Sequence, residues 1–496
     1  MFGAAARACN IYGTKVSVGS VCGRWVLVTT ILASSMAFLD DTVVTLALPT
    51  IERELDTGLS GLQWILNGYL LILGALILLG GRFGDVFGRR RILVSGLAIF
   101  AAASAVAAGA PTIEFLVGAR VVQGAGAALM IPSSLALITA SFQGEDQGQA
   151  IGVWSAMTAL SVALGPLVGG WLVDAASWRW VFLINLPLAA VAILAALRYV
   201  PESSDPDERG HLDLSGAGLA VVALAGLTVA PVQGPALGWG HPIVVGGLGA
   251  GFVALAIFLL LERHKSHAML PLHFFRVRQF SGANLATFGL YASIDALFFL
   301  SVIQLQSQVG FSALMAGMSL IPVTVLLVLL SPPMGKLAGR IGARLPMTIG
   351  PLVMAAGLLL IAQITPGRVE PTFQGYATTV LPSFTLFGLG LAITVAPLTT
   401  AALTALDDTH AGLASGVNTA VARVAGLAGI ALLPLVAGIS GGGSIGSGEF
   451  SEGFQRAMWI CAGLTSISAA FAFLTVAGQV GLVLRRPNRR RGRPST

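Results

Sequence analysis

Fourteen long apolar segments constrain the fold of this 496-residue chain more than any other feature. A helix needs roughly 20 apolar residues to cross the hydrocarbon core of a bilayer, and most of the segments reach that length. Because a backbone in lipid must satisfy its hydrogen bonds internally, the pattern predicts an all-α integral membrane protein. The segments lie near residues 25–48, 62–81, 92–110, 114–139, 149–173, 179–199, 213–232, 242–261, 280–306, 311–331, 345–365, 377–398, 413–437 and 457–483.

The positively charged residues predict how these helices are oriented. If the amino terminus is cytoplasmic, 22 of the 28 lysines and arginines lie on the cytoplasmic side and four on the opposite side. Cytoplasmic loops carry such an excess, so we expect a multi-pass protein of the cell membrane with both termini in the cytoplasm. The formal charge of +6 then reflects orientation in the lipid bilayer, and nucleic-acid binding is not expected.

A basic, glycine-rich link, GRFGDVFGRRR at residues 81–91, joins the second and third segments. Glycine allows tight turns and close helix approach, so we expect the backbone to turn within this link. The pattern resembles the signature loop of the major facilitator superfamily. The matching residues are Gly81, Asp85, Gly88, Arg89 and Arg90. We interpret them as a conformational latch between two helix bundles, and the alternative is a simple topology signal.

A second copy of this pattern, SPPMGKLAGRIGAR at residues 331–344, lies in the second half of the chain. Such a repeat predicts the major facilitator fold, with two six-helix bundles related by an axis along the membrane normal. Two extra central helices, which give 14 spans, resemble the fourteen-span drug:proton antiporter branch. The predicted parts are a cytoplasmic tail (1–24), an N-terminal bundle (25–200), a linker with the two extra helices (201–279), a C-terminal bundle (280–484) and a basic cytoplasmic tail (485–496).

Two adjacent acids, Asp40 and Asp41, lie inside the first segment. An ionisable group at the middle of a bilayer costs about 2.5–3.5 kcal/mol on insertion scales, so such a residue points to function. The surrounding FLDDTVVTLALP resembles the first-span motif of the same branch and aligns Asp40 with the family's acid. The resemblance implies proton coupling by Asp40, facing a poorly hydrated cavity, with Asp41 as a second candidate. The alternative is a structural contact between helices.

Arg120 opens the sequence RVVQGAGAA in the fourth segment. This sequence resembles an arginine motif that the family associates with proton coupling. Because arginine keeps its charge at any relevant pH, we expect Arg120 to act on a partner carboxylate rather than to carry the proton. A purely structural ion pair is the alternative.

A glycine-proline motif closes the fifth segment. Its residues are Gly165, Pro166, Gly169 and Gly170, with Ser161 in place of the first glycine of the family pattern. Proline kinks a helix and glycine allows close approach. The motif resembles the antiporter motif that the superfamily's exporters carry more than its importers, and the resemblance implies efflux.

The second half of the chain carries fewer motifs. Asp295 lies midway along the ninth segment, and Gln304 and Gln306 follow on the same segment. In the thirteenth segment, Asn418 and Arg423 resemble an N-x-x-x-x-R-x-x-G stretch of the family. We predict a substrate-binding role for Asp295, Gln304, Gln306 and Asn418. The alternatives for Asp295 are that it carries a second proton or forms a buried ion pair with Arg423, which would be the structural explanation of both residues.

Together these features predict a proton-coupled efflux transporter, a drug:H+ antiporter, that exports lipophilic or cationic small molecules by alternating access. The alternative is a narrow exporter of an endogenous metabolite such as an antibiotic or siderophore. No G-x-x-x-x-G-K-[ST] sequence occurs, which argues against ATP and favours the proton gradient without a cofactor. The scattered cysteines match no metal-site spacing, and the histidines lie in loops or at segment ends. We therefore expect no metal, no enzyme activity and a monomer.

Overall fold

The computed structural model describes residues 15–204, 212–265, 270–406, 411–439 and 448–476. Within these ranges, 14 helices are long and apolar enough to cross a membrane, so the predicted all-α fold with 14 spans is confirmed. We number them α1 to α14 in chain order: Val21–Leu55, Leu59–Phe87, Arg89–Ala108, Ile113–Ser141, Gly144–Ala175, Trp180–Tyr199, Leu214–Leu237, Pro242–His264, Arg278–Val309, Ala313–Ile341, Arg344–Ile361, Phe373–Leu403, Gly412–Val436 and Gly448–Thr475.

Some helices extend beyond the apolar segments because polar residues stabilise their ends. α1 begins at Val21, where the hydroxyl of Ser20 caps the first turn by accepting a hydrogen bond from Gly23 N at 3.0 Å. α14 begins at Gly448 and carries Glu449 in its first turn, where an acid interacts favourably with the helix dipole. The predicted basic tail and residues 1–14 of the amino-terminal tail lie outside the described residues.

The helices pack as two groups of six with α7 and α8 between them. In the first group, α4 packs on α2 and α3, and α1 packs on α5 and α6. In the second group, α12 packs on α10 and α11, and α9 packs on α13 and α14. α7 contacts α2 of one bundle and α13 of the other, and α8 packs on α7. At that last contact a methyl group on Gly226 would lie 2.3 Å from Gly247 O, so glycine permits the close approach.

The glycine-rich link between α2 and α3 is mostly helical, and the predicted turn within it is confined to one residue. α2 continues through Gly81 and Gly84 to Phe87, and the backbone turns only at Gly88, where φ is +106°. Gly342 ends α10 in the same way, with φ of +88°. Both positions lie in the left-handed half of conformational space, which favours glycine. The repeated motif therefore fixes one sharp helix-to-helix turn in each bundle.

Candidate functional site

The carboxylate of Asp40 is the centre of a polar cluster inside the first bundle. Asp40 is fully buried, and its Oδ1 accepts hydrogen bonds from Gln123 Nε2 at 2.8 Å and from Asn185 Nδ2 at 2.9 Å. Its Oδ2 accepts a hydrogen bond from Arg120 Nη1, and the Arg120 side chain is equally buried. Helices α1, α4 and α6 therefore meet at one carboxylate, and the predicted partnership between Asp40 and Arg120 is present in the structure.

Contacts with α2 and α4 hold Arg120 in place. Its Nε donates to Ile65 O at 3.1 Å, its Nη1 donates to Gln123 Oε1 at 2.8 Å, and its guanidinium lies 4.4 Å from the centre of the Tyr69 ring. Its Nη2 is buried without a hydrogen-bond partner among the described residues. Arginine cannot lose its charge, and among the described residues the carboxylate of Asp40 is the one that forms an ion pair with Arg120.

Ser104 and Asn185 complete the cluster, and the sequence did not assign them a role at the acid. Ser104 Oγ accepts hydrogen bonds from Gln123 Nε2 at 2.8 Å and from Asn185 Nδ2 at 3.1 Å, and all three side chains are buried. Asn185 lies in the sequence WRWVFLINLP at residues 178–187, around the start of α6. A polar residue in the tryptophan-rich string that opens α6 was the available signal, whereas Ser104 in alanine-rich α3 gave none.

Asp40 does not face a cavity, contrary to the prediction, whereas Asp41 points towards the other bundle. Successive residues of an α-helix project about 100° apart, so only one of two adjacent acids can point into the first bundle. The Asp41 side chain is 31% exposed, and its Oδ2 lies 3.6 Å from Nη1 of Arg423 on α13, which is 18% exposed. Arg423 thus joins the two bundles through an ion pair.

Arg423 forms this pair with Asp41 rather than with Asp295. The Cβ of Arg423 packs against α2, where a methyl group on Gly74 would lie 3.3 Å away, and its guanidinium lies 5.5 Å from the centre of the Phe38 ring on α1. Asp295 instead packs against Gly426, one turn further along α13. Asp295 is half-buried, and none of the described residues forms a hydrogen bond or ion pair with its carboxylate.

Three of the predicted substrate-binding side chains are occupied by structural hydrogen bonds. Gln304 is fully buried, and its Nε2 donates to Ile364 O at 2.9 Å and Ser451 Oγ at 3.1 Å, so its placement in a cavity is wrong. Asn418 donates to Asn284 Oδ1 and Thr287 Oγ1 of α9 at 3.1 and 2.8 Å. Gln306 donates to Leu46 O of α1 at 3.0 Å and thereby links the two bundles.

Gln306 also borders a cavity of ≈ 570 Å³ that opens between the ends of α1, α5 and α9. The polar residues that line it include Thr50, Glu52, Arg53, Asp174 and Ser307. Asp41 and Asp295 do not line this cavity. The predicted substrate-binding residues are therefore divided between two places, with Asp295 near the membrane centre and Gln306 at one end.

The signature link binds within the first bundle rather than across to the second. Asp85 Oδ1 accepts hydrogen bonds from Arg89 Nη2 at 2.7 Å and Nε at 3.0 Å. The carboxylate of Glu202, which follows α6, accepts a hydrogen bond from Arg90 N at 3.0 Å and lies 3.7 Å from Nε of Arg90 and of Arg91. These contacts fasten the start of α3 to the segment that follows α6 in this conformation.

The antiporter motif lies where α5 packs closely on both α1 and α10. Methyl groups on Gly165 and Gly169 would lie 2.1 Å from Thr42 Oγ1 and 3.0 Å from Val43 Cα of α1, and one on Gly170 would lie 2.6 Å from Leu314 Cα of α10. The three glycine positions are therefore small because α5 is packed between α1 and α10. Ser161, the departure from the family pattern, donates a hydrogen bond to Ser35 Oγ of α1 at 2.8 Å.

The fold and this site define a membrane transporter built from two helical bundles. The family model of the Major Facilitator Superfamily matches residues 30–430 of this chain. The chain belongs to the major facilitator superfamily.

Proteins similar to this chain include resistance and export proteins of bacteria. This chain is 34% identical over 410 residues to the multidrug resistance protein Stp of Mycobacterium tuberculosis (strain CDC 1551 / Oshkosh). The alignment covers 82% of this chain and 74% of that protein. This chain is also 34% identical over 399 residues to the tetracenomycin C resistance and export protein of Streptomyces glaucescens, and the alignment covers 80% of this chain and 73% of that protein. A D-xylose-proton symporter structure shares the fold, with a TM-score of 0.64 at 17% identity over 91% of this chain and 98% of that chain. The relatives confirm the predicted family of drug and antibiotic efflux proteins.

Proposed function

We propose that the chain is a proton-coupled exporter of lipophilic or cationic small molecules that works by alternating access. The observation that carries this proposal is the fully buried ion pair between Asp40 and Arg120. A proton on Asp40 removes one charge of the pair, but the charge of Arg120 remains. An uncompensated buried charge costs about 3–5 kcal/mol. The protonated cluster must therefore rearrange or take up water, and this requirement couples proton binding to helix movement.

Asp295 is the residue proposed to attract a cationic substrate. Its carboxylate lacks a partner among the described residues and packs against α13, one turn from the arginine that reaches the first bundle. Tyr291 and Phe298, four residues before and three residues after it, lie on the same face of α9 and are half-buried. Aromatic rings beside a carboxylate favour organic cations, which supports a lipophilic cation over an anion.

The charge distribution supports a cytoplasmic location for both termini in the cell membrane. With that orientation, Asp174 and the start of α10 lie on the outer side, where α5 and α10 are in contact. Towards the cytoplasm, Met157 and Leu160 of α5 are 42% and 43% exposed, and Leu329 of α10 is 63% exposed, which supports a looser contact of these two helices on that side. The described conformation is then open to the cytoplasm and closed to the outside, the state in which an exporter collects substrate.

Export of one endogenous metabolite is the second candidate. The name of the Streptomyces glaucescens relative couples resistance to export of a single antibiotic, tetracenomycin C, which favours a narrow substrate range. The two candidates share the proton cycle at Asp40 and differ in how many compounds compete for transport.

Efflux of the lipophilic cation ethidium tests the proposal. Bacterial cells that lack their own exporters would produce the unchanged chain, the Asp40→Asn variant or the Glu145→Gln variant. Glu145 is an exposed acid at the start of α5, so Glu145→Gln serves as the matched control. We expect efflux by the unchanged chain and the control that a protonophore abolishes, and no efflux by Asp40→Asn at equal membrane abundance. Failure of the abundant unchanged chain to export any dye would contradict the multidrug proposal and favour the narrow exporter.

A further inference from the structure

The carboxylate of Asp174 bonds across the two bundles at the closed end of the transporter. Asp174 lies in the last turn of α5 in the first bundle. Its Oδ1 accepts a hydrogen bond from Ala313 N at 3.1 Å, and its Oδ2 accepts one from Leu314 N at 2.8 Å, both at the start of α10 in the second bundle. These two donors belong to the first turn of a helix, where backbone N–H groups have no partner within the helix.

The amino-terminal end of α10 is therefore capped from two sources. Ser312 Oγ, the local cap, accepts a hydrogen bond from Met315 N at 3.2 Å. The other two donors of the turn, the N–H groups of Ala313 and Leu314, bond to the Asp174 carboxylate of the opposite bundle. A helix that begins in this way completes its cap only when the two bundles are together at this end.

Tight backbone packing surrounds the Asp174 contact. A methyl group on Gly170, one turn before Asp174, would lie 2.7 Å from Ala313 O, and one on Gly317 would lie 2.3 Å from Pro166 O. The Leu46 side chain of α1 lies beneath this contact and is fully buried. A methyl group on Gly169 or on Gly317 would lie 3.3 Å from its Cδ1. The backbones of α5 and α10 are in direct contact here, so any opening of this end must separate Asp174 from α10.

The rest of the α5 and α10 pair is not closed in this way. A methyl group on Gly148 or Gly152, in the first half of α5, would meet no neighbouring atom within 4 Å. The same holds for a methyl group on Gly339, near the end of α10. Asp174 itself is exposed at the rim of the cavity. Its carboxylate and the two N–H groups can all bind water when they separate, so the contact is reversible.

We propose that Asp174 is a positioning residue that holds the outer gate closed by capping the first turn of α10 across the bundle interface. The inference rests on the alternating access of the proposed function and adds the contact that closes one side. Protonation of Asp40 reorganises the first bundle from within, and the Asp174 cap is a bond that this reorganisation has to break before the outer side opens.

A cysteine reporter under the gate tests this assignment. The Leu46→Cys variant places a thiol at a position that is fully buried while the gate is closed. The purified chain would be reconstituted in lipid nanodiscs, whose two faces are both open to a water-soluble maleimide, so the result does not depend on orientation or on substrate transport. The chain with its native cysteines alone gives the background.

Two variants remove the cap from opposite sides. Asp174→Ala deletes the acceptor, and Ala313→Pro deletes one donor at the first position of a helix, where proline fits; Ser312 before it is already extended, with ψ of 162°. We expect Asp174→Ala to raise the labelling rate about fivefold, the change that corresponds to the loss of one helix cap. Ala313→Pro should raise it by less, because Leu314 N still donates to Asp174. The double variant should match Asp174→Ala alone, because the bond that Ala313→Pro removes is already absent without the carboxylate. Glu52→Ala, an acid of the same cavity with no bond to α10, is the control and should leave the rate unchanged.

Labelling of the Asp174→Ala chain at the unchanged rate would overturn the assignment, as would a double variant in which the two effects multiply. An equal increase in Glu52→Ala would also overturn it, because general loosening would then explain the result. Dye export does not enter the measurement. A chain that exports no dye but shows the predicted labelling contradicts only the proposed function, and an active exporter with unchanged labelling contradicts only the gate assignment.

Discussion

The guanidinium of Arg423 lies 3.6 Å from the carboxylate of Asp41, and the two residues belong to opposite bundles. The pair lies beside the Asp40 cluster, because Asp41 follows Asp40 in α1. It also lies one helical turn from the site on α13 against which Asp295 packs. Any movement that separates α1 from α13 has to break this pair, so Arg423 connects the proposed proton site to the proposed substrate site.

Removal of either partner of this pair should change transport by a modest factor. The pair is half-buried but long, at 3.6 Å, so we expect it to contribute about 1 kcal/mol, the upper end for solvent-accessible ion pairs. Asp41→Asn and Arg423→Gln should then each change the initial efflux rate by up to about fivefold. The double variant should resemble the single ones. Initial dye efflux from vesicles checks this, with Arg456→Gln as control, since Arg456 pairs only within α14 at 3.7 Å. Independent effects that multiply in the double variant would contradict a shared contact.

Two glycines of the signature link should differ in their tolerance of substitution. Gly88→Ala introduces a side chain at φ +106° and within 2.8 Å of the Glu202 carboxylate, and such strain costs about 1–3 kcal/mol. Gly81→Ala, with its nearest atom at 3.6 Å, serves as the control. We expect Gly88→Ala to lower both membrane abundance and the unfolding temperature, while Gly81→Ala keeps both. Equal behaviour of the two variants would refute the single-turn description of the link.

Gly170→Ala should oppose closure of α5 on α10. The added methyl group would lie 2.6 Å from Leu314 Cα, and overpacking of this kind costs about 1–3 kcal/mol. We expect the efflux rate to fall about tenfold or more at normal abundance. Gly152→Ala in the same helix meets no atom within 4 Å and should retain the rate. A normal rate in Gly170→Ala would show that close contact at this point is not needed for transport.

The hairpin of α7 and α8 should lose stability in acid through Asp213, the cap of α7. Asp213 Oδ1 accepts hydrogen bonds from Gly216 N at 2.7 Å and from Lys265 Nζ. Burial opposes the ionisation of Asp213, but the Lys265 and Gly216 hydrogen bonds outweigh it, so the pKa of Asp213 falls from 3.8 to about 2. Because the folded-state pKa is lowered, the stabilisation is complete above about pH 4 and is lost as the pH falls towards 2.

The measurement is thermal unfolding of the unchanged chain and of Asp213→Asn between pH 7 and pH 2. We expect the substitution to lower the unfolding temperature at pH 7, with a free-energy cost of about 1 kcal/mol for a weakened cap. The difference between the two chains should shrink as the pH falls from about 4 to 2. A difference that is the same at every pH would contradict the role of the ionised carboxylate.

The sequence predicts the number of spans, the family and the Asp40–Arg120 partnership. Length and apolarity determine which segments can cross a bilayer, and the motifs around Asp40 and Arg120 are local strings. Whether Asp40 or Asp41 points inwards depends on the rotation of α1, which packing decides. For that reason the sequence does not show that Asp40 is enclosed while Asp41 reaches Arg423.

Gln304 shows the same limit in the second bundle. A glutamine in an apolar segment is consistent with a cavity, but a π-helix over Gln304–Val309 changes which residues face inwards. Gln304 is consequently buried against Ile364 and Ser451. Ser104 was missed because its partners lie 19 and 81 residues away in the chain, and Asp174 because its partners lie 139 and 140 residues away. Nothing in their local sequence indicates those contacts.

Proton movement during substrate transport tests the central role of Asp40 most directly. The purified chain would be reconstituted in liposomes with a pH-sensitive dye inside, and a gradient of ethidium would drive transport. We predict that protons move against the direction of ethidium in the unchanged chain and in Glu145→Gln, and that this movement falls to the leak of empty liposomes in Asp40→Asn. Undiminished proton movement in a folded Asp40→Asn chain would contradict the account.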